Sequence, residues 1–382
     1  MADVEKDDVH LRLMHGGPFR KLMVLVGLGR LRRRAFVFAW FCWGLPLVAL
    51  LLTHGADGIE SFLTDWGAWT KFLLAPVLLT LAEKPIGFII DECVVTLFRI
   101  PLIASRSMAE GKAAMAAARK STAATFPELA CLAVAVGASL INLTSFLSGR
   151  APLWAMYGEG LSFPGLWCLA VGNTLYWFLM TRLLWKNLIW SRFLSDVAKC
   201  RLRLAVTHPD GHGGLGFLGY YPAAYGLFTL AVSSVVAAGV GHVMQRQAVT
   251  PALFTAVCVA WLAIVVIYFA LPLVPVARQL SRLKRDTITL SLAKALEFER
   301  WNERKTLGTN VFEDDGETEP EAGDIHDMKP LYGASLKTSA HLFNKRNALP
   351  VFVPALAPLL VTGASFLPYA ELGTIVKRLL FL

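Results

Sequence analysis

The chain has 382 residues, of which 55% are hydrophobic and only 17% charged, with a net charge of +9. A soluble domain carries about a quarter charged residues, so a water-soluble globule is excluded. The excess positive charge does not point to nucleic acid, because it is gathered beside apolar segments: Arg30, Arg32, Arg33 and Arg34 stand directly before the first of them.

Seven apolar runs follow one another, at 36–53, 68–90, 126–148, 163–185, 221–243, 251–275 and 349–369. A helix needs about 20 apolar residues to cross a hydrocarbon core roughly 30 Å thick. The runs are too long for barrel strands and lack their alternation. The expected fold is therefore all-α. It is a polytopic helical membrane protein with six spans, a seventh proline-rich segment near the C-terminus, and a cytoplasmic N-terminus. Its expected partner is the lipid bilayer, with no nucleic acid.

Residues 1–35 form a basic segment without a signal-cleavage pattern, so the first run is expected to be a permanent anchor. The connector 54–65 holds Asp57, Glu60 and Asp65 without Lys or Arg, and is expected outside. The second run ends in Leu81-Ala82-Glu83-Lys84-Pro85. Ionisable groups at membrane depth are functional candidates by default, so Glu83 and Lys84 are candidate ligand or ion-path residues. They also suit an interfacial position, with Lys84 snorkelling to the headgroups. Over 86–99, Ile86, Ile90, Cys93, Val94 and Leu97 repeat at helical spacing. This predicts an amphipathic helix on the inner membrane surface or under the bundle.

The connector 91–125 is basic and expected inside, 149–162 is charge-poor and expected outside, and 186–220 is basic again. Asn142, Thr144, Asn173 and Thr174 place polar groups within runs, where they suit interhelical hydrogen bonds. Before the fifth run stands Thr207-His208-Pro209-Asp210-Gly211-His212-Gly213-Gly214-Leu215-Gly216-Phe217-Leu218-Gly219, with five glycines in nine residues. Glycine permits positive φ, and consecutive free N–H groups form an anion nest. His208, Asp210, His212, Gly213, Gly214 and Gly216 are thus candidates for a ligand or ion site. The same residues suit a structural turn in which Asp210 caps backbone N–H groups. Neither a P-loop nor a dinucleotide fingerprint is present, and two histidines with one aspartate are weak as a metal set. No metal site is expected, and no cofactor is identified.

This loop, together with Leu188-Ile189-Trp190-Ser191-Arg192-Phe193-Leu194, the L-A-E-K-P stretch and the 372–382 tail, resembles a family of uncharacterised bacterial polytopic membrane proteins. The resemblance spans most of the chain. It implies the bacterial inner membrane and supplies no activity.

In the fifth run, Ser233, Ala237 and Gly241 recur every four residues, a spacing that lets helices approach closely, within one chain or between copies. The stretch 276–304 is expected to be helical, continuing the sixth run into the cytoplasm with Leu280, Leu283, Ile288, Leu292 and Leu296 on one face. The acidic segment 313–327 lacks an apolar period and is expected as a flexible loop. The seventh run holds Pro350, Pro354, Pro358 and Pro368, and is expected to cross or to re-enter the membrane. Residues 276–348 form the cytoplasmic region and 349–382 the C-terminal membrane segment with its tail.

The six cysteines are scattered without a C-x-x-C pair, so neither a disulfide framework nor a metal cluster is expected. No hydrolase, zincin or kinase motif occurs, and the chain leans away from being an enzyme. The leading expectation is a channel or transporter-like protein in the form of a homo-oligomer. The alternatives are a sensor or scaffold that binds at its cytoplasmic face, and an enzyme acting on a lipid or headgroup.

Overall fold

The computed structural model describes residues 9–100, 102–158, 160–312, 326–342, 345–368 and 373. In chain order the helices are α1 (Pro18–Leu25), α2 (Leu31–Thr64), α3 (Ala68–Arg99), α4 (Met108–Ala123), α5 (Thr125–Arg150), α6 (163–197), α7 (Gly216–Arg246), α8 (Pro251–Leu307), α9 (Lys329–Lys337) and α10 (Lys345–Phe366). Among the described residues the only strands form a hairpin, Met156–Tyr157 with Gly160–Leu161.

Six helices, α2, α3, α5, α7, α8 and α10, are long and apolar enough to cross a membrane. The protein is an integral, multi-pass membrane protein. Helix α5 shows why in miniature. Glu128, Cys131, Ala135 and Ser139 face inward and are buried, whereas Phe126, Leu129, Leu140 and Ile141 are exposed. An apolar outer face with a polar inner one suits lipid as the surrounding solvent.

The fourth apolar run folds as one continuous helix, α6, long enough to cross but less apolar than these six. Asn173, Arg182, Lys186 and Asn187 lie along it and are all buried, and α3, α4, α5 and the first turns of the α8 extension pack around it. A helix shielded by protein can carry polar groups that a lipid-facing helix cannot.

The stretch 86–99 is no separate surface helix, and of the two expected positions its stripe takes the one packed within the bundle. Helix α3 runs unbroken through Pro85 to Arg99. Its 32 residues would span about 48 Å at 1.5 Å each. The stripe Ile86, Ile90, Cys93, Val94 and Leu97 extends the main core. The connector after the first run is also helical, up to Thr64, with the bend taken at Gly55 (φ 63°).

Helix α10 keeps its helix through Pro350, Pro354 and Pro358, whose four-residue spacing places the missing donors on one face. It lies along α7. Thr362 Oγ1 donates to the Ala237 carbonyl at 3.4 Å, and a Cβ on Gly241 would sit 3.4 Å from Thr362 Cγ2. The small-residue stripe therefore serves packing within the chain at these two positions, while Ser233 Oγ accepts from Trp261 Nε1 at 2.9 Å.

Helix α8 continues beyond the bundle, as expected, but the face it turns to the protein differs. Leu280 is buried, whereas Leu292 and Leu296 are exposed. Lys284 Nζ donates to the Leu336 and Thr338 carbonyls at 3.1 and 2.8 Å, which ties the extension to the end of α9. Most of the acidic segment 313–327 and of the 372–382 tail lies outside the described residues.

Among the described residues, four helices contain π-helical turns: Phe146–Arg150 ends α5, and Trp40–Gly44 in α2, Ala68–Leu74 in α3 and Cys168–Asn173 in α6 pack on one another. Such turns make up well under 1% of residues in ordinary proteins and often mark functional sites.

Candidate functional site

The glycine loop is a closed turn built around Asp210. Its Oδ1 accepts from His212 N at 2.8 Å and Gly214 N at 3.1 Å, and its Oδ2 accepts from Gly216 N at 2.9 Å. His208 Nδ1 lies 2.8 Å from Oδ1. Gly211, Gly213 and Gly214 have φ of 67°, 64° and 99°, a region that glycine enters without strain. The N–H groups that would cradle a foreign anion thus point at the chain's own carboxylate. The loop also docks onto the segment after α9: His212 Nδ1 lies 2.9 Å from the Ser339 carbonyl, and Ser339 N donates to the Gly211 carbonyl at 2.9 Å.

Burial alone would raise the Asp210 carboxyl, but bonds from Gly216, His212, Gly214 and His208 outweigh it and hold the pKa below its ordinary value. A depressed carboxylate stabilises the fold above its unfolded pKa, and this contribution is lost as pH falls through the folded pKa. Asp210→Ala leaves three N–H groups without their acceptor and should lower stability by about 2 kcal/mol. Melting curves should show the deficit at neutral pH and its narrowing as pH falls below about 4, where the unfolded carboxyl takes up a proton, until the folded carboxyl is protonated as well. A variant melting with its parent at pH 7 would remove this structural role.

Glu83 belongs to a different assembly. It is buried between α2, α3, α5 and α6, and pairs with Arg34 of α2 and Arg182 of α6. The Arg182 contact is 2.7 Å from Nη1 to Glu83 Oε1, and Arg182 Nε reaches Glu128 Oε1 at 3.2 Å. All four side chains are at most 4% exposed. One turn along α6, Lys186 is 0% exposed and donates to the Thr122 carbonyl at 3.0 Å. If every group is ionised, three cations face two carboxylates. Arg34 Nε and Arg182 Nη2 are buried without a partner among the described residues.

Local folding positions these charges. Helices α4 and α5 meet at an elbow around Ala124 (ψ 137°). Lys186 satisfies a carbonyl in the last turn of α4, and Glu128 stands in the first turn of α5, each with the sign that its helix end favours. Glu128 Oε2 also accepts from Phe19 N at 2.8 Å, which caps α1 from outside. The Phe19 ring lies 5.5 Å from the Arg34 guanidinium carbon and 4.9 Å from that of Arg182, within cation–π range. Leu11, Leu13 and Met14 fill the core beside it. The N-terminal segment thus closes the assembly from below.

Of the sequence candidates, the structure puts Glu83 in this assembly and leaves Lys84 exposed on the other side of α3. The glycine-loop residues gather around Asp210 and apart from Glu83. Arg34, Glu128, Arg182 and Lys186 were missed. Arg34 counted as a membrane-flanking anchor and Lys186 as a loop charge. The signal for the rest was Glu128 and Arg182 within apolar surroundings, ionisable groups of the kind that flagged Glu83.

At the opposite end of the bundle is a cavity of about 570 Å³ between α3, α5, α7 and the 150–154 segment. Asp65 lines it, accepting from Trp154 Nε1 at 2.8 Å and Gly67 N at 2.7 Å, with His242 Nε2 at 3.1 Å. Burial would raise the Asp65 carboxyl, but His242, Trp154 and Gly67 together hold it below its ordinary range. Between the two ends, Asn142, Asn173, Ser139 and Thr174 join α5 to α6 through hydrogen bonds of 2.8 to 3.0 Å.

Comparison with family models, curated proteins and solved structures found no match.

Proposed function

We propose that this membrane protein is a transporter-like carrier whose buried Arg34–Glu83–Arg182–Glu128 assembly couples solute or ion movement to proton binding. The observation that carries this reading is the assembly itself, five ionisable side chains from four helices, buried where isolated charges are costly. In the proposed orientation the N-terminal segment and the glycine loop are cytoplasmic, because the connectors alternate between basic and charge-poor. The cavity beside Asp65 then opens outward, and Phe19 with its neighbours closes the inner end. The resemblance of the glycine loop supports placement in a bacterial inner membrane.

Protonation gives this arrangement a way to move. Glu128 holds both Arg182 and the amide of Phe19. A neutral Glu128 loses its charge-assisted bonds to each, so taking up a proton loosens the N-terminal segment from α5 and α6. The test is proton entry into proteoliposomes loaded with pyranine, under an imposed pH gradient. The parent should acidify the lumen several-fold faster than protein-free liposomes. Glu83→Gln and Glu128→Gln should fall toward the protein-free rate while eluting from gel filtration as the parent does. A parent rate equal to protein-free liposomes would sink the proposal.

A cytoplasmic scaffold or oligomer contact is a second reading, favoured by Leu290, Leu292, Leu296 and Leu307, which stand more than half exposed along the α8 extension. A monomer mass in nanodiscs would count against a homo-oligomer.

A further inference from the structure

We infer that the outward cavity is a binding site for an organic anion, with Lys71 as its principal charge. The inference takes the direction of the cavity from the transport reading, but the site requires only binding.

Three cations line the cavity, Lys71, Arg150 and Arg246, against one carboxylate, Asp65. Asp65 does not neutralise them, because Trp154, Gly67 and His242 already occupy it. Lys71 makes no hydrogen bond or ion pair among the described residues. It lies in the π-helical turn Ala68–Leu74 of α3, three residues into the helix, and it lines the cavity on a half-buried stem. An ammonium held there without a counter-charge is unfavourable and calls for an anion. Arg150 and Arg246 line the cavity too and are solvent-exposed, so they add attraction for an approaching negative charge.

The remaining wall selects the body of the ligand. Phe72, Phe146, Leu153 and Trp154 line the same cavity and give it apolar surface. The volume of about 570 Å³ falls within the usual range for small-molecule sites. A compact anionic group carried on an apolar body meets both requirements, whereas a bare inorganic ion would leave the aromatic wall unused. This chemistry has two sources, a free solute or the headgroup of an anionic lipid.

The test uses the full chain in nanodiscs of phosphatidylcholine alone, titrated with phenyl phosphate by calorimetry, with benzyl alcohol as the uncharged control. Phenyl phosphate should bind, and benzyl alcohol should not. Lys71→Met keeps the apolar stem and removes the charge, and should weaken binding about tenfold or more. Lys71→Arg should restore most of it. Phosphatidylglycerol in the disc that competes with phenyl phosphate identifies the lipid as the source, and absence of competition identifies a free solute; both support an anion site. No binding by the parent, equal binding by Lys71→Met, or equal binding of benzyl alcohol would overturn it. Binding without proton flux would leave this site standing while removing the transport reading, and flux without binding would do the reverse.

Discussion

Replacing Arg182 by alanine is expected to cost about 3–5 kcal/mol, because it leaves buried charge without its partner. Arg182 is the shared cation of the assembly, at 2.7 Å from Glu83 and 3.2 Å from Glu128. Without it Glu83 keeps Arg34, but Glu128 keeps only the Phe19 amide. The measurement is thermal unfolding in detergent, with the aggregated fraction by gel filtration. Pairing Arg182→Met with Glu128→Gln should recover part of the loss, since the second change removes the stranded charge and the two sites are coupled. A melt for Arg182→Ala within about 0.5 kcal/mol of the parent would place it with ordinary surface changes and would mean that the buried assembly is dispensable for folding.

Gly17→Ala is expected to release the N-terminal segment. Gly17 has φ 106°, and a Cβ built on it would lie 2.2 Å from Glu128 Oε1. Backbone strain of this kind costs about 1–3 kcal/mol, and the contact with the carboxylate adds to it. Local undocking avoids both penalties, since α1 is only eight residues long and its capping bond comes from Glu128. Limited trypsin digestion at Arg20 and Lys21 should therefore be several-fold faster, while the melting of the remaining bundle changes much less. Unchanged cleavage would show that the segment is held by its apolar residues alone.

The helical membrane class was legible because it rests on bulk properties. Long apolar runs with sparse charge leave no other backbone solution in lipid. Boundaries were less legible. The hydrophobic run at 163–185 stopped one residue short of Lys186, which the folded chain carries on the same buried face of α6 as Arg182. Arg34 followed three other arginines and took on their role, although it is 1% exposed and they are not buried. Charge counting along a loop records how many cations are present but not where each one points. The Asp65–His242 contact joins residues 177 apart in sequence, so no local pattern announces it. In the glycine loop, the residue types indicated tight turns and free N–H groups correctly. They left open whether those groups meet a foreign anion or Asp210, which in the fold accepts three of them itself.

The π-helical turns in α2, α3 and α6 have a geometric consequence. Each holds more residues than the α-helical turn that flanks it. Passing one residue from such a turn into the adjoining α-helix rotates the rest of that helix by about 100° and shifts it by about 1.5 Å. Elsewhere the core is close-packed and has no slack for such a change. Here three touching helices hold spare residues at one level, and on α3 that level carries Lys71 twelve positions before Glu83. A screw displacement beginning in this layer would turn Glu83 relative to Lys71 without breaking the run of backbone hydrogen bonds between them.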